Sequence, residues 1–323
     1  VTPFGTKTLV EAVGITSRRL VRRPLSLADL ETLQRVRGAA CVYDGDPEAF
    51  LLGAEAERIR IGHQFDPLFA VNSSIVDPLP HQIEAVYRFL LPLPRIRFLL
   101  ADDTGAGKTI MTGLLIKELL FRGAIEKILI ITPGGLTKQW KEEELADKFA
   151  LEGRLVNRAA FEAEPGQFSK REGLFVISVD FLARNEACLK AACDTQWDLI
   201  VVDEAHKLSA YEYGAKIEES ERYRAVKALS KKTDHLLFLT ATPHRGRKDT
   251  FRRLLALLDE DLFQKDEHVS RRVREEVVAW GKAAEEFERE HSISKSRNRF
   301  FLRRLKEEMV DWEGHQLFKP RHT

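Results

Sequence analysis

The sequence is poor in cysteine and lacks long apolar runs, and both shortages exclude classes of protein. Its 323 residues include three cysteines, Cys41, Cys188 and Cys193, none of them in a CxxC pair. That spacing argues against a disulfide framework or a zinc site and favours reduced thiols inside a cell. No run reaches the about 18 apolar residues that cross a bilayer, and no signal-peptide pattern opens the chain. We therefore expect a cytoplasmic protein without a membrane partner.

A strong net charge is also missing. Lys and Arg total 51 against 50 for Asp and Glu, so a nucleic-acid surface would have to be a local patch. The hydrophobic content of 44% is sufficient for a substantial core, and the length suggests two or three units. Residue 1 is valine, so we expect the chain to be a piece of a longer protein.

Five apolar runs recur with helix-length segments between them, at 97–101, 127–132, 174–179, 198–202 and 235–239. This rhythm is typical of an α/β fold with a parallel sheet flanked by helices. In such sheets ligands bind beyond the carboxyl ends of the strands. The loops that follow these runs are therefore the first places to look for chemistry.

A glycine-rich turn follows the first run, in the stretch FLLADDTGAGKT at 98–109. Glycines let backbone N–H groups approach phosphate oxygens, a lysine reaches the β- and γ-phosphates, and a threonine hydroxyl binds Mg²⁺. The strict GxxxxGK[ST] pattern fails at its first position, which is Asp102, so an ordinary turn with a solvated lysine stays open. The candidate nucleotide-binding residues are Thr104, Gly105, Ala106, Gly107, Lys108 and Thr109.

Two adjacent carboxylates, Asp203 and Glu204, follow the fourth run in the sequence DEAH. Mg²⁺ is commonly held by one or two carboxylates together with substrate phosphates, so Asp203 is a candidate ligand, directly or through water. Glu204 is then free to act as general base on the attacking water. The alternative is a pair of surface acids after a buried strand.

Further polar groups stand near the helix that precedes the first run and at the other strand ends. Gln82 opens that helix, and its amide can both donate to and accept from an adenine edge. After the second run, a hydroxyl and exposed backbone N–H groups are available to a phosphate. These strand-end candidates are Thr132, Gly134 and Gly135 after the second run, Ser178 after the third, and Thr240 and Thr242 after the fifth.

The two ends of the chain are less specific. We treat residues 1–75 as an accessory region, 76–263 as the ATP-binding domain and 264–323 as a charged helical extension. In the accessory region, SRRLVRR at 17–23 suggests a solvated helix face or a phosphate grip, and EAERIRIG at 55–62 a half-buried strand. In the extension, helices would either contact DNA or a partner or be simply solvated. The basic residues concerned are Arg271, Arg272, Arg274, Arg297, Arg299, Arg303 and Arg304.

The order of motifs over 78–245 resembles the first RecA-like lobe of superfamily 2 helicase-like ATPases. These motifs are Gln82, the Lys108 loop, TPGGL, DEAH and TATP. The Swi/Snf-type branch of that superfamily writes its loop A-D-x-x-G-x-G-K-T, which this chain matches from Ala101 to Thr109 and which accounts for Asp102. TATP suits RapA-like and DISARM-type bacterial members. FLRRLKEEM at 301–309 and FKPR at 318–321 resemble the segment that leaves lobe 1 for lobe 2.

The resemblance implies an ATP- and Mg²⁺-dependent enzyme that tracks along double-stranded DNA. It implies that Gln82 reads adenine, that Lys108, Asp203 and Glu204 are catalytic, and that Thr109 and Asp203 hold the metal. Thr132, Gly134, Gly135 and Ser178 would face the nucleic acid, and Thr240 and Thr242 would couple nucleotide state to DNA. The second lobe's Q-x-x-G-R-x-x-R stretch does not occur here, so this chain alone should bind nucleotide and hydrolyse it poorly.

Two other functions stay open. One is an RNA helicase of the DEAH kind, and the other is a nucleotide-dependent module that binds a protein partner and moves nothing. The biological process is also open among transcription recycling, repair and phage defence. The expected protein partners belong to a bacterial DNA-processing or defence system.

Overall fold

The apolar runs form the central strands of one parallel sheet in the computed structural model of the chain. The structure describes residues 2–4, 7–13, 20–25, 46–60, 66–169, 172–213, 216–241, 248–261, 263, 300–304 and 309–318. Seven strands follow the order β12-β4-β11-β8-β5-β7-β6, and all neighbours are parallel. The strands are β4 Arg97–Leu100, β5 Lys127–Thr132, β6 Gly153–Val156, β7 Gly173–Ser178, β8 Trp197–Val202, β11 Thr233–Leu239 and β12 Phe301–Leu302.

The sheet is buried on both faces, as the continuous apolar runs require. Successive side chains of a strand point to opposite faces, so Leu129 and Ile131 of β5 join one core cluster while Ile128 and Ile130 join the other. Trp197, at the start of β8, lies in the first cluster. The fold is therefore the RecA-like α/β sheet that the sequence predicts.

Helices connect the parallel strands, and several begin at a side chain that accepts a backbone N–H. Asn157, Asn185 and Ser220 cap their helices in this way. The α-helices of the sheet-bearing unit are Phe69–Asn72, Pro80–Glu84, Lys108–Phe121, Thr137–Gln139, Arg158–Ala163, Val179–Arg184, Glu186–Cys193, Glu221–Ser230 and Lys248–Ala256. Segments Ala85–Leu90 and Trp140–Asp147 are π-helical, and Gly134–Leu136, Gln167–Ser169 and Ala205–Lys207 are 3₁₀ turns. None of the described helices combines the length and hydropathy needed to cross a membrane.

The chain divides into two units, residues 1–58 and 59–323. The first contains an antiparallel meander of β1 Thr2–Phe4, β2 Lys7–Val13 and β3 Leu20–Leu25. In the second, β9 Ala210–Tyr213 and β10 Lys216–Glu219 form a separate two-stranded antiparallel sheet. The boundaries predicted after residues 75 and 263 stay a prediction.

Two predictions for the N-terminal region are wrong. The proposed strand at 55–62 is a helix as far as the structure describes it, because Glu55 to Arg60 end the helix Pro47–Arg60. The Asp46 carboxylate accepts the Glu48 N–H at 3.0 Å and, with Pro47 as the next residue, starts this helix. This helix start outweighs the short alternation of apolar and charged residues that suggested a strand. The proposed helix face at 17–23 is strand β3 from Leu20 onward, and 17–19 lie outside the described residues.

Where the structure describes the C-terminal extension, at 300–304 and 309–318, it is not helical, and the rest of the segment predicted to form projecting helices lies outside the described residues. Phe301 and Leu302 form strand β12 at the edge of the main sheet, parallel to β4. Arg304 is buried rather than presented to DNA. The other arginines proposed for contact lie outside the described residues, except Arg303. Without β12, strand β4 would be the edge of the sheet and could pair with one more strand. The sequence did not predict β12 because a two-residue strand is too short to give a pattern.

Candidate active site

The parallel sheet brings the predicted loops to one edge. The phosphate loop follows β4, Thr240 follows β11, and Asp203 follows β8, and these three strands are neighbours. Thr132 ends β5 and Ser178 ends β7, next along the same edge. Because parallel strands end on the same side, the residues that follow these five strands lie along one edge of the sheet.

Two glycines shape the phosphate loop. Gly105 has a φ of 84° and Gly107 a φ of 81°, values that residues with a side chain rarely adopt, and Gly107 directly precedes the helix Lys108–Phe121. The Lys108 ammonium folds back and donates to the carbonyl oxygens of Asp102, at 2.7 Å, and Asp103, at 3.0 Å. The helix N-terminus and the loop N–H groups are a suitable site for phosphate.

Gln82 lies directly against this loop. Its Oε1 accepts the Leu79 N–H at 2.9 Å, and its Nε2 donates to the Ala106 carbonyl at 3.1 Å. A Cβ on Gly107 would lie 2.2 Å from that Nε2. The glutamine side chain is thus held between its own helix and the loop, and its role towards adenine stays a prediction.

The acidic pair has an unusual backbone. Glu204 has a φ of 51° and a ψ of 45°, the left-handed region that a glutamate seldom occupies. Such conformations persist where surrounding contacts hold them and are concentrated at functional sites. Here the Asp203 Oδ1 accepts the Glu204 N–H at 2.8 Å, which ties the two acids together.

The Asp203 carboxylate is held by the segment after β5. Its Oδ2 accepts the Trp140 indole N–H at 2.8 Å and the Thr132 hydroxyl at 3.4 Å. The Asp203 N–H in turn donates to the Ile131 carbonyl at 2.8 Å. This contact makes Trp140 part of the site.

His206 connects the acidic pair to the fifth strand end. Its Nδ1 lies 3.0 Å from Glu204 Oε2 and 3.0 Å from Thr240 Oγ1. Thr240 is buried, so its hydroxyl faces the site interior and not solvent. Sequence reasoning gave His206 no role, although it stands inside the DEAH stretch. Thr242 lies outside the described residues.

The charges of the loop lysine and the acids interact. Burial lowers the Lys108 pKa, while the negative charges of Asp102, Glu204 and Asp203 act in the opposite direction. Burial raises the pKa of Asp203, against the effect of its Trp140 hydrogen bond. The His206 hydrogen bond lowers the pKa of Glu204. A cation and two carboxylates therefore face one space at the strand ends.

These residues fit a magnesium nucleotide. Among the described residues no group of three or more His, Cys, Asp and Glu side chains could hold a metal by itself. Mg²⁺ does not need a cluster of three protein ligands, because it usually keeps several waters and binds one or two carboxylates together with phosphate oxygens of the substrate. A carboxylate has about four lone-pair positions, so Asp203 retains acceptor capacity beyond the three bonds described.

The residues predicted to face nucleic acid fall into two groups. Gly134 and Gly135 are exposed, and a Cβ on Gly134 would lie 3.3 Å from Ser178 Oγ, so these residues adjoin one another. Thr132 differs from the prediction, because its side chain is fully buried and its hydroxyl turns inward to Asp203. Thr132 is turned inward because it is the last residue of β5, a strand that is buried from Ile128 onward.

Comparison with known proteins gives matches over most of the chain. The SNF2-related domain family matches residues 81–320. The RNA polymerase-associated protein RapA of Cronobacter sakazakii (strain ATCC BAA-894) is 39% identical over 223 residues, and that of Klebsiella pneumoniae (strain 342) is 37% identical over 221 residues. Each alignment covers 67% of this chain and 22% of the relative, so the chain spans about a fifth of their length.

Two solved structures share the fold. The SWI2/SNF2 ATPase core of Sulfolobus solfataricus in complex with dsDNA gives a TM-score of 0.53 at 21% identity, covering 72% of this chain and 46% of that one. The same protein's ATPase core domain gives 0.50 at 23% identity, covering 72% and 44%. At this level of identity the likeness concerns the fold alone.

Proposed function

The chain belongs to the SNF2-related domain family, and on that premise we propose that it is the first lobe of an ATP-driven motor that moves along double-stranded DNA. The observation that supports this most directly is that the Lys108 loop and the Asp203–Glu204 pair follow strands β4 and β8 of one parallel sheet and so lie at the same edge. This is the combination that phosphoryl transfer from a magnesium nucleotide requires.

In this proposal the loop binds the nucleotide phosphates. Lys108 leaves the carbonyls of Asp102 and Asp103 and pairs with the β- and γ-phosphates, whose negative charge replaces those neutral acceptors. Thr109 and Asp203 would hold Mg²⁺, which would neutralise charge on the phosphates when bound. Gln82 holds the loop from behind through Ala106 and is available to the adenine base.

Glu204 is the proposed general base. It accepts a proton from the attacking water as the water oxygen bonds to the γ-phosphorus and the bond to the ADP oxygen breaks. The left-handed backbone and the His206 contact fix the direction of its carboxylate. Through the same imidazole, Thr240 is in contact with the base, which is a route for coupling hydrolysis to movement.

Completion of the site is proposed to need a second lobe. Arginines supplied in this way contribute about 10³ to 10⁵ in rate in related phosphoryl-transfer sites. The 323 residues contain no Q-x-x-G-R-x-x-R stretch. We therefore expect the chain alone to bind ATP and to turn it over slowly.

Double-stranded DNA is the proposed track because a related ATPase core has been solved on dsDNA. The exposed backbone of Gly134 and Gly135 beside Ser178 offers N–H groups to DNA phosphates without reading bases. Binding should then be independent of sequence and fall steeply with salt. The similarity to RapA favours RNA polymerase as a protein partner, with nucleotide-dependent association as the second candidate function.

ATP hydrolysis by the full-length protein and by this chain tests the proposal, each alone and with duplex DNA, single-stranded DNA or RNA. Strong stimulation of the full-length protein by duplex DNA, with a nearly inactive chain that still binds ATP, is the expected result. Stimulation by RNA would indicate a helicase of the DEAH kind. Nucleotide-dependent binding to RNA polymerase without any nucleic-acid stimulation would indicate a partner-binding switch.

A further inference from the structure

One segment makes two contacts with the same oxygen of the proposed metal ligand. Thr132, at the end of β5, and Trp140, eight residues later, both donate to Asp203 Oδ2. Between them the chain passes through the surface at Gly134 and Gly135 and returns. Trp140 itself is only 2% exposed. The buried side of this segment therefore holds one oxygen of the carboxylate.

The chemistry of the indole makes the Trp140 contact directional. An indole N–H is a donor only, so it needs an acceptor, and a buried donor left without one costs about 1–3 kcal/mol. A hydrogen bond to a charged group is also stronger than one between neutral groups. At 2.8 Å the Trp140 bond is the shorter of the two side-chain bonds to Oδ2. Rotation of the Asp203 side chain would break it.

We propose that Trp140 is a positioning residue, which holds the Asp203 carboxylate in the orientation that receives the magnesium of a bound nucleotide. The inference rests on the proposed function. It assigns to Trp140 an effect on magnesium dependence that simple packing of the ring would not have.

The test is a Mg²⁺ titration of the binding of a fluorescent, non-hydrolysable ATP analogue to the chain. Trp140→Phe removes the N–H and keeps an aromatic ring. Trp197→Phe is the matched control, because Trp197 is 1% exposed and donates its indole N–H to the Ala192 carbonyl at 2.9 Å, at the other end of the strand that leads to Asp203. Loss of a group that orients a metal ligand typically costs 10- to 100-fold in metal affinity or activity.

We expect Trp140→Phe to raise the half-saturating Mg²⁺ concentration about 10-fold, leaving binding in EDTA unchanged, and Trp197→Phe to leave both unchanged. Because Phe is smaller, the titration is repeated with the indole at position 140 replaced by benzothiophene, which keeps the shape and lacks the N–H. If both replacements at 140 titrate like the wild type, the inference is wrong and the proposed function stands. If the wild type itself binds the analogue without any Mg²⁺ dependence, both fail.

Discussion

The Asp102 carboxylate and the Arg304 guanidinium form a buried ion pair that joins the phosphate loop to the end of the last described strand. Arg304 Nη2 lies 2.6 Å from Asp102 Oδ2, and the Arg304 N–H donates to Oδ1 at 2.7 Å. A second guanidinium nitrogen, Nη1, donates to the His81 carbonyl at 2.6 Å. The residue that breaks the strict phosphate-loop pattern is thus the anchor for a segment 202 residues further along the chain.

Breaking this pair should destabilise the fold strongly. Arg304→Met leaves the fully buried Asp102 carboxylate without the guanidinium that pairs with it, and we expect a loss of about 3–5 kcal/mol in the free energy of unfolding. Urea denaturation followed by circular dichroism measures it. Arg88→Met is the control, since its pair with Glu84 is largely exposed and should contribute under about 1 kcal/mol. Equal losses in the two variants would show that the buried pair has no special weight.

The double variant Asp102→Ala with Arg304→Met gives a second reading of the same pair. It removes both charges, so no uncompensated carboxylate remains. We expect it to be more stable than Arg304→Met alone. With the Asp102→Ala single variant it completes a double-mutant cycle, which gives the coupling energy of the pair. Strictly additive losses would contradict the pairing.

Alanine at Gly107 should disturb the loop more than alanine at a comparable glycine. Gly107→Ala combines a left-handed backbone with a Cβ placed 2.2 Å from Gln82 Nε2. Gly123, just beyond the other end of the same helix, has a φ of +63° but nothing within 4 Å of its Cβ position. Gly123→Ala should therefore cost only the conformational strain, about 1–2 kcal/mol, and keep nucleotide affinity.

Gly107→Ala should cost more and should also weaken nucleotide binding, because Gln82 must leave the Ala106 carbonyl. Urea denaturation and titration with a fluorescent ATP analogue measure the two effects. If both variants lose the same stability and both keep nucleotide affinity, the close approach of Gln82 is unimportant.

The sequence predicted the parts of the fold that local patterns encode. The inner strands are continuous apolar runs, and the polar residues that follow them locate the site because parallel strands end at one edge. It did not predict strand β12 or the Arg304 contact, because only a neighbour 202 residues away in sequence gives these residues their place. Nor did it predict the contact of Trp140 with Asp203, because a sequence does not reveal which acceptor a buried indole N–H meets.

Separate variants should distinguish binding from turnover at the proposed site. Lys108→Ala removes the cation for the β- and γ-phosphates, so nucleotide affinity should fall. Glu204→Gln keeps the size of the base and removes its ability to accept a proton, so binding should persist while turnover of the full-length protein falls by about 10² or more. Affinity comes from analogue titration, and turnover from phosphate release under DNA stimulation.

Lys117→Ala is the control for the lysine, since Lys117 is buried on the same helix but donates to the Ser73 carbonyl, away from the site. It should lower stability and leave nucleotide affinity unchanged in the folded protein. Full turnover in Glu204→Gln would mean that another group accepts the proton.

Protonation of His235 should destabilise the fold at acid pH. His235 lies near the start of β11, at the end of the strand away from the site. Its Nδ1 accepts the Ile96 N–H at 3.0 Å, a bond that only the neutral tautomer can make. Burial lowers the pKa of His235 from the usual 6.5 and outweighs the neighbouring carboxylates. The charged groups that act on it are Asp234 and Asp198, which raise the pKa, and Arg95 and Arg97, which lower it.

Because the folded pKa lies below the unfolded one, the stabilisation from His235 is complete above about pH 6.5 and is lost as the pH falls towards the lowered value. His235→Gln can still accept from Ile96 but does not titrate, so its free energy of unfolding should decline less between pH 7 and pH 5 than that of the wild type. Burial also lowers the pKa of His81, which contributes equally to both proteins and cancels in the difference. Parallel pH profiles for His235→Gln and the wild type would show that the Ile96 contact does not depend on the charge of the imidazole.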